Sequence, residues 1–74
     1  MKEINNMVTS VQKLDPTHVG RLVAFAYHGE ARKGTVEKIA PNYFTIQENV
    51  PREGNRKYSS YRFDKLESTI LVNV

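Results

Sequence analysis

The spacing of hydrophobic residues along the chain changes near residue 20. Between residues 2 and 14 the apolar side chains follow one another at steps of three, one, three and three, which predicts an amphipathic N-terminal helix over 2–14. Asp15-Pro16 ends that helix, because a proline disfavours the helical conformation in the residue before it. Beyond Gly20 the spacing becomes two, which is typical of strands.

Five short strands are predicted after Gly20. The predicted strands are RLVAFAYH (21–28), a second strand that ends in TVEKIA (35–40), YFTIQE (43–48), KYSSYRF (57–63) and TILVNV (69–74). Gly29 suits a hairpin turn, Gly34 a sharp bend within a strand, and Pro41-Asn42 a further turn. The segment 49–56, NVPREGNR, has the composition of a loop, and DKLES (64–68) that of a tight or 3₁₀ turn.

Strict alternation assigns the side chains of two strands to opposite faces. In the third strand Phe44, Ile46 and Glu48 fall on one side. In the fourth strand the same rule separates Tyr58, Ser60 and Arg62 from Ser59, Tyr61 and Phe63. We expect Tyr61 and Phe63 to point into the core, which leaves Tyr58 beside Arg62 on the outside.

Short, bent strands with local connections favour a small closed barrel, because closure removes exposed sheet edges. The sequence therefore predicts a mainly β protein: a single domain, 1–74, with the N-terminal helix packed on a five-stranded barrel over 20–74. The chain has no cysteine, so disulfides cannot supplement a core of this size. Pairing of strand edges between subunits would bury more surface, and we expect a homo-oligomer.

Basic and aromatic residues are concentrated in one part of the chain. The net charge is +3, and residues 49–66 carry five cations against two acidic residues. Cations interleaved with aromatic rings are typical of a surface that contacts phosphates and stacks bases. The alternative is that three of the five cations are solvated loop residues and the rings belong to the core. The candidate nucleic-acid-binding residues are Tyr43, Arg52, Arg56, Lys57, Tyr58, Arg62 and Lys65.

The sequence contains no recognisable pattern of catalytic residues. The two histidines, His18 and His28, lie ten residues apart without a third metal ligand nearby in sequence, and Glu30, Glu37 and Glu48 suit solvated positions. We therefore expect a non-enzymatic protein without a cofactor. A membrane-spanning run and a signal-peptide core are both missing from the sequence, so the expected location is the cytoplasm.

The barrel segment resembles the Sm-like (SH3-type) fold, above all its bacterial Hfq-type branch. The resemblance rests on GRLVAFAYHGEARKGTVEKIAPNYFTIQE (20–48) and YSSYRFDKLESTILV (58–72), with glycines at 29 and 34 and an aromatic pair after the Pro41-Asn42 turn. It implies single-stranded RNA binding, with Tyr43 or Phe44 as the stacking aromatic and Arg62 as the basic residue after tyrosine. YSSYRFDKLESTI also resembles the end of the WYL domain, itself a barrel of this type.

Three functions follow as alternatives. The leading one is a non-enzymatic regulatory module that binds RNA or another single-stranded nucleic acid. The second is a small protein-interaction or inhibitor module, such as a host-factor or viral accessory regulator, with contacts on the helix and on residues 49–56. The third is WYL-like sensing of a nucleotide by the arginine-bearing strand.

Overall fold

A computed structural model describes residues 7–52 and 56–74, with side chains for 7–48 and 57–74. The described chain forms one antiparallel sheet of six strands in the order β1-β6-β2-β3-β4-β5. The strands are β1 (Thr9–Val11), β2 (Leu22–Tyr27), β3 (Glu30–Ile39), β4 (Tyr43–Arg52), β5 (Arg56–Arg62) and β6 (Ile70–Val72). Two 3₁₀ turns, Pro16–His18 and Phe63–Lys65, connect β1 to β2 and β5 to β6.

The sheet curls strongly around its own inner face. In a flat sheet β2 and β5 would lie about 14 Å apart, since two other strands separate them. The rings of Phe25 on β2 and Tyr61 on β5 are nevertheless only 4.9 Å apart between centroids. An isolated bridge between Tyr27 and Leu66 also ties the chain after β5 back to β2. One part of the curled sheet therefore covers the inner face of another part, as two separate sheets do in a β-sandwich.

One hydrophobic core fills the inside of the curl. Every strand from β2 to β6 contributes to it through alternate residues. Its buried members are Leu14, Val23, Phe25, Val36, Phe44, Ile46, Tyr61, Ile70 and Val72. Phe25 packs edge-on against both Phe44 and Tyr61, an arrangement that aromatic pairs favour. The predicted inward position of Tyr61 and the predicted common face of Phe44 and Ile46 are confirmed, whereas Phe63 is only partly buried.

The hairpins follow the turn residues of the sequence. Tyr27 and Glu30 are partners in the β2–β3 ladder, so that hairpin has a two-residue loop. Its residues His28 and Gly29 both have positive φ, 51° and 78°, which matches the right-handed twist of the flanking strands. At the next turn the Ala40 N–H donates to the Tyr43 carbonyl across Pro41-Asn42. Both predicted turns are confirmed.

The predicted N-terminal helix is wrong for the described residues, and residues 2–6 lie outside them. Thr9–Val11 is a strand that pairs antiparallel with β6. Met7 and Val8, which the helix would have packed on the barrel, are 75% and 55% exposed. Cross-strand pairing outweighs the helical spacing here, because three of the residues from 8 to 11 (Val8, Thr9 and Val11) are β-branched.

The prediction of a closed five-stranded barrel is also wrong in the described part of the chain. The sheet has six strands, and no ladder joins β5 to β1, so these two strands are its edges. Closure by the isolated Tyr27–Leu66 bridge involves one residue pair only. The inner face is covered without closure because the curl already brings β2 against β5.

The segment 49–56 was predicted as a loop, but most of its backbone is strand. β4 continues to Arg52 and β5 begins at Arg56, and these two residues are partners in the ladder. The register of β4 against β5 shifts between Gln47 and Arg52. Among the described residues no helix is long and apolar enough to cross a membrane.

Gly34 lies where β3 leaves no room for a side chain against β4. A Cβ built at this position would overlap the carbonyl oxygen of Gln47 on β4 and approach Ile46 Cδ1 to 2.9 Å. Its φ is not positive, so space rather than backbone conformation requires the glycine. A strand with a side chain here could not hold its present register against β4.

We expect Gly34→Ala to lower the free energy of unfolding by about 3 kcal/mol, at the upper end of the usual cost of overpacking. The matched control is Gly29→Ala, which has open space around the new Cβ and meets only the cost of a positive φ, about 1 kcal/mol. Urea unfolding followed by circular dichroism measures both. Equal losses in the two variants would contradict this explanation of Gly34.

Candidate nucleic-acid interface

The outward residues of β4 and β5 form a polar and aromatic surface, together with one residue of β3. The ladder sets Tyr43 opposite Arg62, Thr45 opposite Ser60 and Gln47 opposite Tyr58. Lys38 of β3 lies opposite Thr45 on the other side of β4. We call this surface the outer patch: Lys38, Tyr43, Thr45, Gln47, Tyr58, Ser60 and Arg62.

Tyr43 lies between two cations. The Lys38 Nζ is 6.0 Å from the centroid of the Tyr43 ring, at the outer limit of a cation–π contact. On the other side Arg62 is the direct cross-strand partner of Tyr43. Directly opposed residues have Cβ atoms about 5 Å apart, so the guanidinium can reach the ring or anything stacked upon it.

The guanidinium of Arg62 has one ionic partner among the described residues. Arg62 Nη2 donates to Asp64 Oδ2 at 2.9 Å, and both side chains are 61% exposed. Ion pairs at this exposure contribute at most about 1 kcal/mol, because water screens them. A phosphate could therefore displace Asp64 at little cost.

Between Tyr43 and Tyr58 the outer patch offers hydroxyl groups. Thr45 Oγ1 and Ser60 Oγ share a hydrogen bond of 2.7 Å across β4 and β5. Beside them lies an open depression of about 530 Å³, lined by Asn42, Tyr43, Ser60, Tyr61 and Arg62. Hydroxyls, an amide, a ring and a guanidinium thus meet at one place.

The structure brings together three of the seven predicted site residues. Tyr43, Tyr58 and Arg62 share the outer face, and Tyr58 is 48% exposed as expected. Lys57 is exposed but by alternation lies on the opposite face of β5, and Lys65 lies in the following 3₁₀ turn. Arg52 and Arg56 are paired in the backbone ladder, and their side chains lie outside the described residues.

Lys38 was missed by the sequence analysis because of a β-bulge. Strict alternation from the buried Val36 would place Lys38 inside, but the register of β3 against β4 shifts between these two residues. The shift puts Lys38 opposite the outward Thr45. Nothing in the sequence marked Asn42 or Ser60 as site residues, because Asn42 is typical of a turn and Ser60 is only a small residue in a strand.

Comparison with known proteins found no match for the chain. No protein-family model matches it, and no curated protein or solved structure is significantly similar to it. The Sm-like and WYL resemblances therefore stay predictions.

A second polar cluster is buried at the inner face. The Glu48 side chain is 1% exposed, and its Oε1 accepts from Arg32 Nη2 at 2.9 Å. Its Oε2 accepts from the Tyr61 hydroxyl at 2.5 Å. The expectation of a solvated Glu48 is thus wrong, because alternation along β4 points this carboxylate inward beyond Phe44 and Ile46.

The pKa values of this cluster follow from burial and hydrogen bonding. Burial alone would raise the pKa of Glu48, but hydrogen bonds from Tyr61 and Arg32 outweigh it, so the pKa lies below its usual value. Burial, followed by the bond to Glu48, raises the pKa of Tyr61. The bond to Glu48 raises the pKa of Arg32. At neutral pH the cluster is an ion pair with a neutral tyrosine.

Neither histidine takes part in a metal site in the described part of the chain. No group of three or more His, Cys, Asp and Glu is close enough there to hold a metal ion. The Nδ1 of His18 accepts from the backbone N–H of Asp15 at 3.0 Å within the first 3₁₀ turn. His28 packs edge-on against Tyr27 at the β2–β3 hairpin.

We expect Glu48→Gln to lower the free energy of unfolding at pH 7 by about 3 kcal/mol, because Arg32 loses its buried partner. Since folding lowers the pKa of Glu48, the ionised carboxylate stabilises the protein fully above 4.5, its value when unfolded. That contribution is lost as the pH falls through the lower, folded pKa. The difference between wild type and Glu48→Gln should therefore shrink in acid.

The control is Glu37→Gln, which removes the same charge from an exposed position on β3. Urea unfolding at a series of pH values between 7 and 3 measures all three proteins. A wild-type profile parallel to that of Glu48→Gln throughout this range would show that the carboxylate does not titrate with folding.

Proposed function

We propose that the protein binds single-stranded nucleic acid, RNA above all, through the outer patch, and that it does so as a non-enzymatic module of Sm-like type. The observation that carries this proposal is the position of Tyr43 between Lys38 and Arg62 on an open sheet face. An aromatic ring with a cation on either side is suited to a nucleotide, which has a flat base and a charged phosphate. The proposed regulatory role follows from the resemblance.

Stacking would supply the attraction to bases. Tyr58 is 48% exposed and Tyr43 is partly exposed, and a base stacked on an aromatic side chain contributes about 1–3 kcal/mol. The two tyrosines share one face of the sheet, at opposite ends of the paired stretch. A strand of nucleic acid laid along β4 and β5 could meet both.

Phosphates would contact the cations on either side. Arg62 and Lys38 are exposed, and Arg62 can exchange Asp64 for a phosphate oxygen. Guanidinium groups bind phosphate through paired hydrogen bonds in a planar geometry. Binding should weaken steeply with salt, because each neutralised phosphate releases counterions.

Single strands suit this surface better than duplexes. Unpaired bases expose their faces to aromatic side chains, whereas the bases of a duplex are stacked on one another. The hydroxyl pair of Thr45 and Ser60 lies between the tyrosines, where a ribose 2′-hydroxyl could form hydrogen bonds. This favours RNA over DNA.

A protein-interaction module is the second candidate, and one observation supports it. Met7, Val8 and Leu71 are 75%, 55% and 40% exposed on and beside the edge strand β1 and its neighbour β6. Apolar side chains grouped in this way favour contact with another protein. Such contact would be insensitive to salt, unlike binding of a nucleic acid.

We expect Arg62→Ala to weaken binding of a short mixed-sequence single-stranded RNA and to reduce the slope of log affinity against log salt by about 0.7, the share of one phosphate contact. Tyr43→Ala should weaken binding by about 1–3 kcal/mol with the slope unchanged, because stacking releases no counterion. Fluorescence anisotropy at several salt concentrations measures both. Thermal unfolding of Arg62→Ala should stay close to wild type, since the side chain is exposed.

The charge-matched control is Arg21→Ala, which removes an exposed guanidinium that precedes β2 and donates to Asn73 Oδ1. It should leave affinity nearly unchanged. Equal losses for Arg62→Ala and Arg21→Ala would mean that only net charge attracts the RNA. A duplex of the same sequence that binds as tightly as the single strand would remove the argument from stacking.

We also expect Asp64→Asn to tighten binding. Asp64 holds the guanidinium that the phosphate requires, at 2.9 Å, and its own charge repels the phosphate. The variant keeps the size of the side chain but loses the charge. Anisotropy titrations at low salt measure the effect, and unchanged or weaker binding would show that Arg62 is not the phosphate ligand.

A further inference from the structure

The free edge of β5 is the longest unpaired strand edge in the described part of the chain. The two edges of the sheet are β1, with three residues, and β5, with seven. The outer side of β6 is already occupied, because Thr9–Val11 pairs with it. Head-to-tail pairing of β5 with β6 of another copy is therefore blocked by the chain itself.

The backbone groups that face this edge can be identified from the ladder. The Phe63 N–H donates to the Asn42 carbonyl, so Asn42 and Phe63 form a hydrogen-bonded pair of the β4–β5 ladder. Hydrogen-bonded and non-hydrogen-bonded pairs alternate along an antiparallel ladder, so the next pair, Tyr43 and Arg62, is not hydrogen-bonded. The backbone N–H and carbonyl of Arg62 therefore point away from β4. By alternation Tyr58, Ser60 and Arg62 direct their backbone groups to the free edge. Their side chains all lie in the outer patch.

We infer that two copies of the chain pair through this edge, β5 against β5 and antiparallel, with Ser60 facing Ser60 at a two-fold axis. In this register Tyr58 of one copy lies opposite Arg62 of the other, and the same pair occurs twice. A ring opposite a guanidinium is a favourable cross-strand pair. The edge is thus complementary to itself, as a two-fold interface requires.

Neighbouring registers are less favourable. A slip by one residue would turn the outward side chains of one copy towards the core side of the other. A slip by two residues, centred on Ser59, would set Arg56 opposite Arg62 twice, and like charges directly opposite destabilise a ladder. Centring on Tyr61 would set Tyr58 against Asp64, which lies in the 3₁₀ turn rather than in a strand. Pairing of β5 with β1 of another copy offers only three residues.

Pairing would complete the outer patch as well as bury the edge. Across three strands it would place Tyr43, then Arg62, then Tyr58 of the second copy in one row, so that the guanidinium has an aromatic ring on each side. The row exists twice, related by the two-fold axis. This inference rests on the sheet edge and not on the proposed function, and it is tested without nucleic acid.

The experiment uses single cysteines, since the chain has none of its own. In the inferred register Ser60→Cys brings two Cα atoms to about 5.5 Å across the axis, within the range that a disulfide spans. Tyr58→Cys is the control, because its two copies would lie four residues apart along the strands, about 13 Å. Under mild oxidation we expect Ser60→Cys to cross-link at least tenfold faster than Tyr58→Cys. Equal rates, or faster cross-linking of Tyr58→Cys, would overturn the register.

A second experiment blocks pairing at the free edge of β5 and leaves the ladder between β5 and β4 intact. Ser60→Pro deletes the N–H that faces the free edge, while Ser60→Ala keeps it, and both lose the bond to Thr45. In light scattering over a concentration series we expect wild type and Ser60→Ala to be dimers and a folded Ser60→Pro to be a monomer. A wild type that stays monomeric at every concentration, or a folded Ser60→Pro that dimerises like Ser60→Ala, would overturn the inference.

Discussion

The structure depends on the contact that Tyr61 of the edge strand β5 makes with β2, three positions away in the sheet. Its ring packs against Phe25 and Tyr27 of β2, and its hydroxyl bonds the carboxylate of Glu48. A single sheet has no second layer to cover its apolar face, so it has to curl until its own strands cover that face. Tyr61 fixes how far the sheet curls, and the core inside it follows.

The same constraint leaves the outer face and one long edge available for binding. Because alternate residues of β4 and β5 are committed to the core, those between them face outward and carry Tyr43, Tyr58 and Arg62. Because the sheet curls without closing, β5 keeps a free edge. The proposed nucleic-acid interface and the inferred dimer contact are therefore adjacent parts of one strand. A second copy of the chain would use the backbone groups of the β5 edge and the Tyr58–Arg62 cross-strand pair, and an RNA would use the outward side chains.

A charged pair inside so small a core has a high desolvation cost. Glu48 is almost fully buried, and Arg32 bonds it while its Nε has no hydrogen-bond partner in the described structure. Pairs of this kind cost more to break than they contribute beyond an apolar replacement. In this sheet the cluster also fixes the register of three strands, because Arg32 of β3, Glu48 of β4 and Tyr61 of β5 can meet in one register only.

The sequence alone determined what depends on neighbouring residues. The two-residue spacing of apolar side chains predicted strands β2 to β6 and the two faces of β4 and β5. The turn-forming residues predicted the His28-Gly29 and Pro41-Asn42 turns. Three features needed the tertiary structure. Residues 9–11 became a strand because β6 offered an unpaired edge, Lys38 joined the outer patch through a bulge in β3, and the barrel stayed open. In each case the deciding contact is with a residue distant in sequence, so no local pattern could reveal it.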